Sequence, residues 1–166
     1  ANSQLNESSG QFALTYTAIE NANLAIAGLR KYGNVESNAG MRYLLGEALV
    51  LRALFYHDLI KAWGDVPARF QPIGETGDVV KPKSDRDVIY RQIIGDLEEA
   101  VNYVYWPNES GKTGLTTRVN KAFAYGLLAR VCLSAAGYSQ RPDEGQIGTG
   151  NVGQNRRSKL TESGQV

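Results

Sequence analysis

The chain has 166 residues, 42% of them hydrophobic and 21% charged, which suits one globular domain burying roughly 70% of its unfolded surface and excludes disordered and collagen-like chains. Lys and Arg total 18 against 17 for Asp and Glu, a formal net charge of +1, so there is no electrostatic drive toward nucleic acid or an anionic membrane. One cysteine, Cys132, and one histidine, His57, supply neither an intrachain disulfide nor a four-ligand Cys/His zinc site, and no metal or cofactor is expected.

Residues 12–30 form the first periodic segment, with Phe12, Tyr16, Ile19, Asn23, Ile26 and Leu29 or Arg30 at steps of three and four, the spacing of one helical face. Gly33 and the polar stretch 34–40 end it. Residues 41–63 follow, where Leu44, Ala48, Leu51, Phe55, Leu59 and Ala62 make one stripe and Leu45, Leu49, Tyr56, Ile60 and Trp63 a second. So wide an apolar arc predicts a helix with neighbours on two sides. Gly64 and Pro67 stop it, and the Pro- and Gly-containing stretch 66–83 reads as an extended surface excursion.

Ser84 and Asp87 have capping-box spacing, and Asp87 is placed to pair with Arg91 one turn on, so a third helix is expected to start here. Ile89, Ile93, Leu97, Val101 and Val104 form its apolar face, Arg91, Asp96, Glu98 and Glu99 its wet side, and Trp106-Pro107 its stop. A turn-rich loop, 108–115, precedes a fourth helix capped by Thr116 or Thr117 and ending near Gly137. Within it, Tyr125-x-x-Leu128-Ala129-x-x-Cys132-x-x-x-Ala136-x-Tyr138 has the spacing of the first helix of a tetratricopeptide repeat, which needs a following partner. From residue 139 to 166 the chain is nearly all Gly, Asn, Gln, Ser and charge, a loop or tail without a core of its own. The expectation is all-α: a tetratricopeptide-like helical scaffold of four main helices over 1–138, then an irregular tail over 139–166 that reads as a truncated continuation.

Chemistry is sparse. Ser110-Gly111-Lys112-Thr113 ends like a phosphate-binding loop, but Trp106 occupies the position of the first glycine and no strand precedes it, so a plain turn is the better reading. A hydrolytic triad would rest on His57, yet its neighbour Asp58 points about 100° away on the same helix and cannot orient the ring; a partly exposed structural histidine is expected. Glu98 and Glu99 diverge in the same way. Arg156, Arg157 and Lys159 lack interleaved aromatics and read as solvated tail. Tyr103, Tyr105 and Trp106 close the third helix and are the candidate stacking surface for a sugar ring, with packing against a neighbouring helix the commoner use of such residues. No run of 18 apolar residues exists to span a membrane, and the first ten residues lack an export signal.

Several blocks in order carry a resemblance. Tyr16-x-x-Ile19-x-x-Ala22-Asn23, Gly46-Glu47-Ala48-x-x-x-Arg52-Ala53-x-x-Tyr56-x-Asp58-Leu59-x-x-x-Trp63-Gly64-Asp65-Val66-Pro67, Val88-Ile89-Tyr90-x-x-Ile93-Ile94-x-Asp96-Leu97-x-x-Ala100 and Thr117-x-x-x-Lys121-Ala122-x-Ala124-x-x-Leu127-Leu128-Ala129-Arg130-Val131-x-Leu133 resemble the N-terminal half of the SusD/RagB family of Bacteroidetes surface lipoproteins. The resemblance implies a non-enzymatic glycan-capture protein, lipid-anchored outside the outer membrane, that passes oligosaccharide to a SusC-type TonB-dependent transporter. Family members are several-fold longer, so the anchor and much of the ligand site are expected outside this sequence. Asn23, Arg52, Tyr56, Asp58, Trp63, Gly64 and Pro67 carry the signature as scaffold, with Arg52 and Asp58 expected to be buried or half-buried and in need of partners. A helical-repeat adaptor binding a protein or peptide is the alternative.

Overall fold

The computed structural model describes residues 10–77, 80–114 and 117–137. Among these the chain is helical without strands: α1 (Gln11–Tyr32), α2 (Ala39–Trp63), the single turn α3 (Ile73–Thr76), α4 (Arg86–Ala100) and α5 (Lys121–Ala136). The boundary expected at 138/139, the tail and its basic cluster lie outside the described residues.

The two stripes of α2 predict its place. It lies between α1 and α4, and α5 packs mainly on α4. Tyr43, Leu45, Leu49, Val50, Ala53, Tyr56 and Leu59 of α2 are all buried, and Ile89, Ile93 and Leu97 of α4 and Ile19 and Ile26 of α1 close on them. The closest approach is at Gly46, where an added Cβ would lie 2.9 Å from both Tyr103 Cβ and Val104 Cγ1. Only a residue without a side chain fits there.

Four sequence expectations are corrected. Helix α4 is capped by Asp85, whose carboxylate accepts from Asp87 N (2.8 Å). Ser84 does not cap it because Ser84 is paired with the preceding loop, its N donating to Val66 O (3.0 Å) and its Oγ accepting from Ala68 N (3.3 Å). Regular α4 ends at Ala100 rather than at Trp106, and a tightened turn carries Val101 and Val104 into the core, with Tyr103 N and Val104 N both donating to Ala100 O. Helix α5 is capped by Asn120, which accepts from Phe123 N (3.0 Å). Thr117 is too early, because the following residues are tied to α2: Arg118 grips Glu47 through both carboxylate oxygens and Val119 O accepts from Tyr43 Oη. The 66–83 excursion, finally, contains α3.

Candidate functional site

The best-defined polar feature is a buried hub between α1, α2 and α4. Arg52, 3% exposed, donates through Nε and Nη2 to both oxygens of Asp96 (2.8 Å each), and through Nη1 to Asn23 Oδ1 (2.9 Å) and Phe70 O (3.1 Å). Gln92 Nε2 adds a bond to Asp96 Oδ1 (2.9 Å). A buried ion pair is tolerated only when its remaining donors and acceptors are filled in this way. The placing of Asp96 on the wet side of its helix is therefore wrong. Its spacing from Ile89, Ile93 and Ala100 puts it on the buried face, a signal masked by the charged neighbours Glu98 and Glu99.

Arg52 belongs to a larger comb of side chains that hold the main chain after α2. Tyr16 Oη donates to Pro67 O (2.7 Å), Tyr56 Oη donates to Arg69 O and accepts from Arg69 N (2.6 Å each), and Asn23 Nδ2 donates to Arg69 O (3.1 Å). With the Arg52 bond to Phe70 O, the carbonyls of 67, 69 and 70 are all met by side chains from two helices. Burial pushes the phenols of Tyr16 and Tyr56 well above the ordinary tyrosine range, so both stay protonated and able to donate.

The other signature residues fall around this comb. Trp63 packs edge-on against Phe12 at 5.3 Å between centroids. Gly64 has φ of +76°, and an added Cβ would lie 2.9 Å from Arg86 Nη2. Arg86 sits there because its Nε donates to Asp65 Oδ1 (2.7 Å), fastening the end of α2 to the start of α4. Asp58 departs from expectation: it is exposed, with Lys61 Nζ 3.5 Å from its carboxylate one turn on. Between α1 and the held loop runs an open groove of about 600 Å³, walled by Phe12, Tyr16, Pro67 and Ile73, with Glu20, Arg69 and Lys81 as its charged members. Glu20 Oε1 accepts from Ile73 N (2.9 Å), so that carboxylate fixes α3.

The candidate sugar-stacking aromatics separate. Tyr105 stacks on buried Tyr43 (5.6 Å, 12° between planes) and Tyr103 lies against Gly46. Trp106 is 48% exposed and stacks on Tyr125 of α5, also 48% exposed, at 6.0 Å with 27° between planes. Sequence spacing could not pair Trp106 with Tyr125, because the contact depends on how the intervening loop returns. That loop is a closed turn: Thr113 Oγ1 donates to Trp106 O (2.8 Å) and Asn108 N donates to Thr113 O (3.1 Å). The hydroxyl a phosphate loop would need is thereby engaged.

His57 is buried rather than partly exposed. Its Nε2 is 3.2 Å from Ser134 Oγ, and burial, assisted by Lys61, holds the imidazole below its ordinary range. No group of three or more His, Cys, Asp or Glu able to hold a metal occurs among the described residues.

A family model described as SusD-like, starch-binding associating with outer membrane, matches residues 2–133, most of the chain. The chain belongs to the SusD-like family. The resemblance carried by the blocks around Asn23, Arg52 and Pro67 is thus borne out. SusD-like protein P38 of Formosa agariphila is 33% identical over 86 residues, 51% of this chain and 16% of its own length. A SusD superfamily protein from Parabacteroides distasonis is 30% identical with a TM-score of 0.68, covering 78% of this chain and 26% of that one. A crystal structure with xylogluco-oligosaccharide is 26% identical with a TM-score of 0.67, covering 82% of this chain and 26% of that one. This SusD-like chain therefore spans 16% of the curated relative and about a quarter of the solved ones.

Proposed function

We propose that this chain is the N-terminal helical part of a non-catalytic glycan-capture lipoprotein. In this reading the full-length protein is surface-exposed, lipid-anchored in the outer membrane, and delivers bound oligosaccharide to a SusC-type TonB-dependent transporter. The observation that carries the reading is the shared fold with the structure holding xylogluco-oligosaccharide, matched over 82% of this chain. The polar groups support it, because they are committed to architecture: Arg52 and Asp96 to each other, Asn23 and Tyr56 to main chain. His57 faces a hydroxyl in a buried contact, where a general base would have no water or substrate to work on.

Of the three candidate aromatics, Tyr103 and Tyr105 are packed, so the ring offered to a sugar is Trp106, stacked on exposed Tyr125. An exposed ring presented by a rigid turn suits the apolar C-H face of a pyranose at little cost in ordering.

Affinity electrophoresis tests the reading. The full-length protein is run in native gels containing a panel of soluble polysaccharides; retardation by one class is expected. Unchanged mobility across the panel overturns capture and favours the helical-repeat adaptor. Trp106→Ala then separates the roles of that ring, because full retardation of the variant would leave Trp106 with packing alone.

A further inference from the structure

The groove between α1 and the loop after α2 has walls that are held in place on both sides. On one side stand Phe12 and Tyr16 of α1, with ring centroids 5.0 Å apart and planes at 54°. On the other, side chains of α1 and α2 hold the carbonyls of Pro67, Arg69 and Phe70, and Glu20 Oε1 holds Ile73 N (2.9 Å). A preformed site loses little ordering entropy when it is filled. The groove's volume of about 600 Å³ falls within the roughly 300–1,000 Å³ of small-ligand sites, which likewise combine apolar walls with a few convergent polar groups.

Unlike the residues that hold the loop, the polar groups lining the groove have capacity to spare. Asn21 and Lys81, both exposed, make no side-chain hydrogen bond or ion pair among the described residues, and Glu20 keeps its second carboxylate oxygen unengaged. The three supply an acceptor, a donor and an amide that is both. An anion would use only the donors, and a cation only the acceptors. A hydroxyl group donates and accepts, and so uses all three. The aromatic wall beside them suits the apolar C-H surface of a sugar ring, and Val80, 90% exposed, extends that surface at the rim. An extended peptide fits less well, because it binds by pairing with free main-chain groups, and the carbonyls of 67, 69 and 70 are already met by side chains.

We propose that this groove is a subsite for an uncharged sugar segment of the captured glycan, with Phe12 and Tyr16 as its stacking wall and Glu20, Asn21 and Lys81 as its hydroxyl-binding groups. The proposal rests on the glycan-capture reading. Being open, the groove encloses a short segment only, and most of the grip on a polysaccharide lies elsewhere in the full-length protein.

The test takes the polysaccharide that retards the full-length protein in native gels and measures its apparent dissociation constant for three forms. These are the unaltered protein, Ala13→Trp, which puts an indole into the groove from an exposed lining position, and the double variant Asn21→Ala with Lys81→Ala. A constant raised about 5-fold or more in both variants, with an unchanged melting temperature, is expected. The difference should persist in about 0.5 M sodium chloride, since hydroxyl groups carry no charge to screen; a difference that vanishes in salt overturns the assignment in favour of an acidic sugar. Variants that are both retarded like the unaltered protein overturn the subsite and leave capture standing. A loss confined to Ala13→Trp also overturns it, because the polar groups would then recognise nothing. An unaltered protein that no polysaccharide retards overturns capture and the subsite with it.

Discussion

Arg52 donates to a carboxylate, an amide oxygen and a main-chain carbonyl in a site closed to water. Removing it leaves Asp96 buried with Gln92 as its remaining neutral donor. Arg52→Ala should therefore cost about 3–5 kcal/mol, read as a lowered urea midpoint of the full-length protein. His57 gives a pH dependence of definite sign. Its folded pKa is below its unfolded one, so the stability gained from the neutral ring is complete above about pH 6.5 and is lost as pH falls below that value. The urea midpoint should drop between about pH 7 and 5, and the drop should be smaller in His57→Gln. Arg52 was legible as a signature scaffold residue that, once buried, needs partners. Asp96 was hidden by neighbouring charges, and Asp58 was misread because two sides of α2 are buried while position 58 lies on its remaining open side.

The helices themselves were legible wherever an apolar stripe ran for several turns, and their ends were legible only where the local residues decide the matter. Gly64 ends α2 as expected, through a backbone conformation that glycine favours. The starts of α4 and α5 depended on long-range ties: Ser84 is drawn to Val66 and Ala68, and residues 118–119 are drawn to α2. Neither tie leaves a local mark. Packing between elements makes two glycines behave oppositely. Gly46→Ala should destabilise by about 1–3 kcal/mol, because Tyr103 and Val104 block the new methyl group. Gly28→Ala in α1, where the methyl meets nothing within 4 Å, should stabilise by about 0.5–1 kcal/mol. Differential scanning calorimetry of the two variants checks both signs.

For the whole molecule, the sequence carried the family and the helical class, because ordered signature blocks and helical periodicity extend over most of its length. It could not carry a glycan site, since the signature side chains are consumed in holding the scaffold. The Trp106 and Tyr125 pair and one open groove are too small a surface to hold a polysaccharide by themselves, so residues 1–166 alone should run unretarded in gels that retard the full-length protein, and equal retardation of the two would place the whole ligand site on this piece.

The comb formed by Tyr16, Asn23, Arg52 and Tyr56 grips peptide groups of the loop after α2, and the loop side chain it also holds is Phe70, packed on Tyr56 at 4.7 Å between centroids and 5.4 Å from the Arg52 guanidinium. Where it meets the main chain alone, a clamp of that kind is indifferent to spelling: it imposes a path and leaves those letters open. Gln71, exposed and met at its carbonyl by Asn23, can thus be rewritten without renegotiating the helices beneath, so selection can act on such a position and on its foundation separately.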